Sequence, residues 1–200
     1  MILLSDSGGS RTPLYQGFPL YQLKITLRDC HLPIWRRVVV RANMKLNRFH
    51  AVIQTAMGWT NSHLHQFIAD DVYYGVPDRE YDDDFKQQNE KSYTVAELAP
   101  NVDALFTYEY DFGDCCEHDV LLEKILPSDK AFKHPVCLDG ANACPPEDCG
   151  GSSGYADYVE AMADLKHPEH ESMVNWNGSK WDATAFSVEA ANKGLNRIKP

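Results

Sequence analysis

The run Tyr110-Asp111-Phe112-Gly113-Asp114-Cys115-Cys116-Glu117-His118, with Cys137, Cys144 and Cys149 downstream, gathers carboxylates, an imidazole and thiols. Nowhere else does the chain concentrate reactive side chains in this way. Asp111, Asp114 and His118 flank a tight turn, so carboxylate oxygens and an imidazole could converge on one divalent ion. Glu117 or Glu147 could then serve as the general base of a metal-dependent hydrolase. His63 and His65, two apart on an expected strand, would share a face and could complete such a site. A structural account covers the same residues: aspartates beside Gly113 satisfy turn amides, and His118 hydrogen-bonds at the edge of the core.

The cysteine loop offers softer chemistry. His134-x2-Cys137-x6-Cys144-x4-Cys149 supplies four ligands, enough for a closed Cys3His zinc site. The spacing is wider than in the usual zinc knuckle, so buried structural thiols and a redox pair stand as alternatives. Gly150-Gly151-Ser152-Ser153-Gly154 then opens a helix, a setting in which backbone amides can cradle an anion. Glu147 and Asp148 just before it would repel phosphate, and glycines that turn the chain into the helix are the better account. Asp-Phe-Gly is a kinase triplet, but no Gly-rich or catalytic loop accompanies it, which excludes a kinase. Nucleophile elbow, dinucleotide fingerprint and zinc-protease His-Glu pair are all missing.

These groups need a scaffold, and the patterning supplies one. Residues 21–28 alternate apolar and polar at period two, and 34–41 are rich in β-branched side chains, so two strands are expected across a turn at 29–33. Leu46, Phe49, Ile53 and Met57 form one apolar helical stripe, with Gly58 placed for a left-handed cap and Trp59 following to pack. A short hairpin is expected over 65–69 and 72–75, and another strand pair over 105–110 and onward to Leu126. The acidic stretch 77–92, with Asp82-Asp83-Asp84, reads as an exposed loop, and 127–154 as a long irregular segment. Tyr155, Tyr158, Val159, Met162 and Leu165 share a helical face that ends before Pro168, and a last amphipathic helix is expected within 183–198. Without βαβ repetition the class is α+β: a mostly antiparallel sheet of hairpins, one helix after the second strand, and helices at the C-terminus. Residues 1–19 read as a flexible leader, and 20–200 as one domain.

Composition narrows the function. The 200 residues carry 44% apolar and 24% charged side chains, ordinary values for a soluble globular protein. No apolar run suits a bilayer and the N-terminus lacks the basic region of a signal peptide, so a cytoplasmic protein with no membrane partner is expected. In that compartment six cysteines are reduced thiols or metal ligands rather than disulfides. With 19 basic against 29 acidic residues and a net charge of −10, non-specific nucleic-acid binding is disfavoured. Arg28, Arg36, Arg37, Arg41, Lys45 and Arg48 read as the solvated face of a sheet, with a DNA-contacting patch as the lesser account.

Three segments together resemble one family: Met57-Gly58-Trp59 with His63-Leu64-His65-Gln66-Phe67; Tyr110-Asp111-Phe112-Gly113-Asp114 with Glu117-His118; and Cys137-Leu138-Asp139-Gly140 with Cys144-Pro145-Pro146-Glu147-Asp148-Cys149-Gly150-Gly151. Over 20–195 the chain is similar to the Ri-plasmid ORF-3-like family, found on plasmids and as passenger proteins of insertion sequences, some labelled "TnpR". The resemblance implies an α+β fold and no particular reaction. It departs from the family at Cys115 and Cys116, where a polar residue and a Trp are usual, and after Trp181-Asp182, where a proline is lost. The reading that results is a mobile-element accessory protein that binds a protein partner through the 110–154 region, where a zinc site is one of the open alternatives and zinc the one candidate cofactor. A metal-dependent hydrolase is the alternative, and a DNA-contacting regulator comes third.

Overall fold

The structure is a computed structural model and describes residues 17–77, 87–178 and 181–199. Most of the expected leader and the Asp82-Asp83-Asp84 stretch lie outside the described residues. Strands β1 (Leu20–Leu27) and β2 (Trp35–Arg41) form where the alternation predicts them and pair antiparallel, with Leu23 opposite Val38 and Ile25 opposite Arg36. Helix α1 (Leu46–Met57) follows, its stripe of Leu46, Phe49, Ile53 and Met57 buried. Gly58 stops it: at φ 99° it takes the left-handed conformation that a Cβ disfavours, and its N–H returns to the Gln54 carbonyl.

Strands β3 (His65–Ala69) and β4 (Val72–Gly75) make the expected hairpin, turning through Asp70 and Asp71 at positive φ. The remaining strands are β5 (Gln88–Asn89), β6 (Leu105–Tyr110), β7 (Cys116–Leu126) and β8 (Val136–Ala141). Between β5 and β6 lies the single turn α2 (Val95–Leu98), started by a reciprocal Thr94–Glu97 capping box. Helices α3 (Gly151–Ala163), α4 (His170–Asn177) and α5 (Val188–Leu195) close the chain. The described strands form one sheet in the order β5-β4-β3-β6-β7-β1-β2-β8, antiparallel throughout except between β4 and β5. That is the α+β, mostly antiparallel class the sequence implies.

One face of the sheet carries the core. Leu23, Ile25, Val38, Val40, Phe67, Phe106, Tyr108, Val120 and Leu122 meet Phe49, Val52 and Ile53 of α1, with Ala191 and Leu195 of α5 at the margin. The other face is polar: Arg28 pairs with Glu117 and Asp119, and Arg37 with Glu123 and Asp139. Among the described residues no helix is long and apolar enough to cross a membrane.

Three expectations need correction. Arg36 is not on the solvated face; it is 1% exposed and points into the core. Its Nε and Nη atoms donate to the carbonyls of Ala56, Trp35, Ala141 and Asn142, and its guanidinium lies 3.8 Å from the Phe186 ring centre. The stretch 127–154 is not irregular throughout, because β8 adds to the edge of β2. Asn192 of α5 then takes the outer edge of β8, accepting from the Cys137 N–H at 2.8 Å and donating to its carbonyl at 2.9 Å. Helically, α3 starts at Gly151 rather than Tyr155, α5 is shorter than the 183–198 pattern, and α4 was not anticipated because none of its residues is buried.

Candidate functional site

Three loops meet at one end of the sheet: residues 58–64 after α1, the β6–β7 turn at 111–115, and 142–150 before α3. Glycine lets the last two touch. Gly151, at φ 67°, lies so close to the Asp114 carbonyl that a Cβ would collide with it, and the Gly150 N–H donates to Asp114 Oδ2 at 2.9 Å. Trp59 ties the first loop to the third through Nε1–H to the Pro145 carbonyl, 2.9 Å. Tyr110, at the end of β6, accepts from the Ser62 N–H at 2.8 Å and donates to Glu147 Oε1 at 2.5 Å. Glu147 also accepts from the Thr60 N–H at 3.1 Å and from the Thr60 hydroxyl.

Within this frame His63 stands between two carboxylates. Its Nδ1 is 3.5 Å from Asp111 Oδ2 and its Nε2 is 3.3 Å from Asp148 Oδ1. One ligand atom from each of the three lies within 4.8 Å of the other two. Among the described residues this is the one group of three or more His, Cys, Asp or Glu side chains so arranged. One ion takes a single imidazole nitrogen and its donors stand about 3 Å or a little more apart, so binding would draw these side chains inward from the 4.8 Å bound. Asp111 is fixed by its second oxygen, which accepts from the Gly113 and Asp114 amides at 3.0 and 3.3 Å. His63 Nε2 is buried and makes no hydrogen bond within the fold. Asp148 is 71% exposed and leaves the group accessible from outside. One imidazole and two carboxylates, with no thiol, suit a borderline or hard divalent ion.

Burial alone would raise the Glu147 carboxyl, but hydrogen bonds from Thr60 and Tyr110 hold it below its ordinary value. Tyr110 is correspondingly raised, by burial and by its bond to Glu147. His65 does not join His63. Its Nε2 meets the buried Glu90 Oε2 at 2.8 Å, and its ring stacks on His50 with centres 3.4 Å apart. His50 contacts the Tyr108 hydroxyl and Asn61, and burial, with the neighbouring His65, pushes its pKa down to about 4.

The remaining candidates disperse. Asp114 serves Gly150. Glu117 faces outward to Arg28, whereas His118, the next residue, is fully buried with Nδ1 3.2 Å from the Tyr108 carbonyl, and burial lowers its pKa to about 4. Asp111, Asp114, Glu117 and His118 therefore do not converge. His134 contacts the Ile198 carbonyl and Cys137 sits in the main core against Asn192. Cys149 belongs to a second cluster around Leu27, Ile34, Tyr155 and Tyr158, and Cys144 packs against both clusters. The residue that sequence reasoning did not select is Asp148; the adjacent acids before Gly150-Gly151 were its only signal.

Residues 19–190 match the family model described as "Plasmid pRiA4b ORF-3-like protein". The chain belongs to that family. Within the pRiA4b ORF-3-like family, it is 39% identical over 178 residues to "Uncharacterized protein y4hQ" of Sinorhizobium fredii (strain NBRC 101917 / NGR234), covering 88% of this chain and 91% of that one. Its fold matches a crystal structure of a protein of unknown function, MM3350 from Methanosarcina mazei Go1, at a TM-score of 0.76 and 31% identity, over 86% of this chain and 98% of the other.

Proposed function

We propose that this pRiA4b ORF-3-like protein is a binding module that holds one divalent cation, zinc among the candidates, at His63, Asp111 and Asp148. The cation then offers its open positions to an anionic or imidazole group of a partner. The convergence of three donor atoms within 4.8 Å carries this reading. Loops mounted on a rigid sheet edge are where binding groups are usually found.

A hydrolase would use the same ligands, with Glu147 as base. The donors from Thr60 and Tyr110 occupy that carboxylate and weaken it as a base, which favours binding over turnover. A DNA-contacting patch is less favoured again, since Arg28 and Arg37 are paired with carboxylates and Arg36 is buried.

Calorimetric titration of the chelator-treated protein with zinc and manganese tests the reading. Asp111→Asn and His63→Ala are expected to weaken binding at least tenfold while the circular dichroism spectrum is kept, as loss of one ligand demands. Unchanged affinity in both variants would reject the assignment, and metal-dependent cleavage of ester or phosphoester panels would move it to the hydrolase.

A further inference from the structure

We propose that the groove between α4 and the loops that follow α1 and β8 takes an arginine side chain of a protein partner. The inference deepens the binding-module reading by naming the partner's chemistry; it rests on that reading but not on the cation at His63. The groove has a volume of about 420 Å³, and its walls include Trp59, Trp176, Trp181, Pro145, Pro146 and Glu147. Three of the chain's four tryptophans therefore stand in one depression. Packing fixes their rings in advance, which lowers the ordering cost of binding. Trp59 stacks on Tyr110 with ring centres 4.9 Å apart and spends its indole N–H on the Pro145 carbonyl. Trp181 and Trp176 meet Tyr158 edge to face, at 4.7 and 5.7 Å. Trp176 nevertheless stays 46% exposed, on a helix with no buried residue.

Charge decides which ligand these rings suit. Glu147 is the one carboxylate in the lining, and no Lys or Arg stands there. Its oxygens accept from neutral donors: the Thr60 amide and hydroxyl, the Ser62 hydroxyl and the Tyr110 hydroxyl. Among the described residues no Lys or Arg pairs with it. Hydrogen bonds thus fix the carboxylate without neutralising its charge. Indole faces are the negative side of the ring quadrupole, so a tryptophan wall ending in an unneutralised carboxylate is complementary to a cation.

The fourth tryptophan shows what is missing. Trp35, two residues before Arg37 on the same face of β2, is covered by cations of this chain, Arg37 at 5.0 Å and Lys24 at 5.2 Å from the ring centre. Among the described residues no Lys or Arg lies over Trp59, Trp176 or Trp181. The partner's cation fills at the groove the place that Lys24 and Arg37 take at Trp35. A guanidinium suits it better than an ammonium, because it is planar, weakly hydrated and stacks on aromatic faces.

NMR of the isotope-labelled, chelator-treated full chain tests the groove, with the blocked tripeptide acetyl-Gly-Arg-Gly-amide as probe. Its citrulline counterpart keeps the planar shape and loses the charge. The expected result is saturable shifts of the indole N–H signals of Trp59, Trp176 and Trp181 while Trp35 stays still, and a citrulline peptide weaker by about tenfold or more. Trp176→Ala and Glu147→Gln should each weaken the arginine peptide by a similar factor. Trp176 is exposed, so its variant decides where Glu147→Gln disturbs the loop. Asp111→Asn should bind the peptide unchanged. A chain that binds metal but not the peptide loses the groove alone, and one that binds the peptide but not metal loses the His63 cation alone. No saturable shift, equal binding of the citrulline peptide, or an undiminished response in Trp176→Ala would overturn the proposal. A lysine peptide that binds as tightly would overturn the guanidinium.

Discussion

On one side of the β6–β7 turn the donors are the oxygens of Asp111 and Asp148 and the imidazole of His63, open to solvent through Asp148. On the other side, five residues from Asp111, Cys116 enters a chamber of sulfur and aromatic rings. The two regions meet at this turn, although Cys30 reaches the second from the β1–β2 turn, and they differ in burial, which sorts their side chains. Carboxylates stay where water and turn amides can solvate them, because an unpaired buried charge is costly; neutral thiols behave as small apolar groups and tolerate the interior. A short turn can thus set polar and apolar side chains back to back because the backbone inverts between them, at Asp111 and Cys115, both at positive φ.

The largest effect should come from the buried side. Arg36→Met would strip the carbonyls of Trp35, Ala56, Ala141 and Asn142 of their donor, at about 1 kcal/mol or more for each. Urea unfolding should show a loss of several kcal/mol; a loss no larger than that of its neighbour Arg37 would break the contrast between interior and surface. Acid should also strike the interior first. His50 and His118 have pKa values of about 4 in the fold, below the ordinary 6.5. The unfolded chain therefore takes up protons that the native chain refuses, and stability that is complete above pH 6.5 is lost as pH falls toward 4. The loss is on the order of 3 kcal/mol per histidine. A stability profile flat between pH 6.5 and 4 would contradict it, and His50→Gln should remove part of the slope.

Gly151→Ala sharpens the comparison from the middle, since it forces the turn at Asp114 away from α3. It should cost more than about 1 kcal/mol and weaken cation binding at the proposed His63, Asp111 and Asp148 group. Unchanged stability would mean that the Gly151–Asp114 approach does not hold the two loops together. Tyr110→Phe frees Glu147 and should cost about 1 kcal/mol in thermal unfolding. Smallest of all, Arg37→Ala removes ion pairs with Glu123 and Asp139 on the polar face and should cost less than about 1 kcal/mol.

Legibility in the sequence followed the strength of local periodicity. The stripe of Leu46, Phe49, Ile53 and Met57 with Gly58 behind it located α1 almost to the residue, and alternation located β1 and β2. Cys137-Leu138-Asp139-Gly140 has no such pattern; it is a strand because β2 offers a partner and Asn192 holds the far edge. Arg36 shows a different limit. Strand alternation puts it on the inward side with Val38 and Val40, but its charge argues for water, and only the ring of carbonyls at the end of α1 resolves the conflict. In the site, His63 and Asp111 were visible as polar residues near turns. Asp148 reaches them only because Gly150 and Gly151 let two backbones meet.

The amide of Asn192 has one further consequence. By offering its oxygen to the N–H of Cys137 and its NH2 to the carbonyl, it imitates a single residue of a ninth strand. A free edge next to Val136 and Leu138 would otherwise invite another chain to extend the ladder. One side chain therefore acts as a stopper against open-ended assembly. Its loss would show less in the melting temperature than in the tendency of concentrated protein to form fibres.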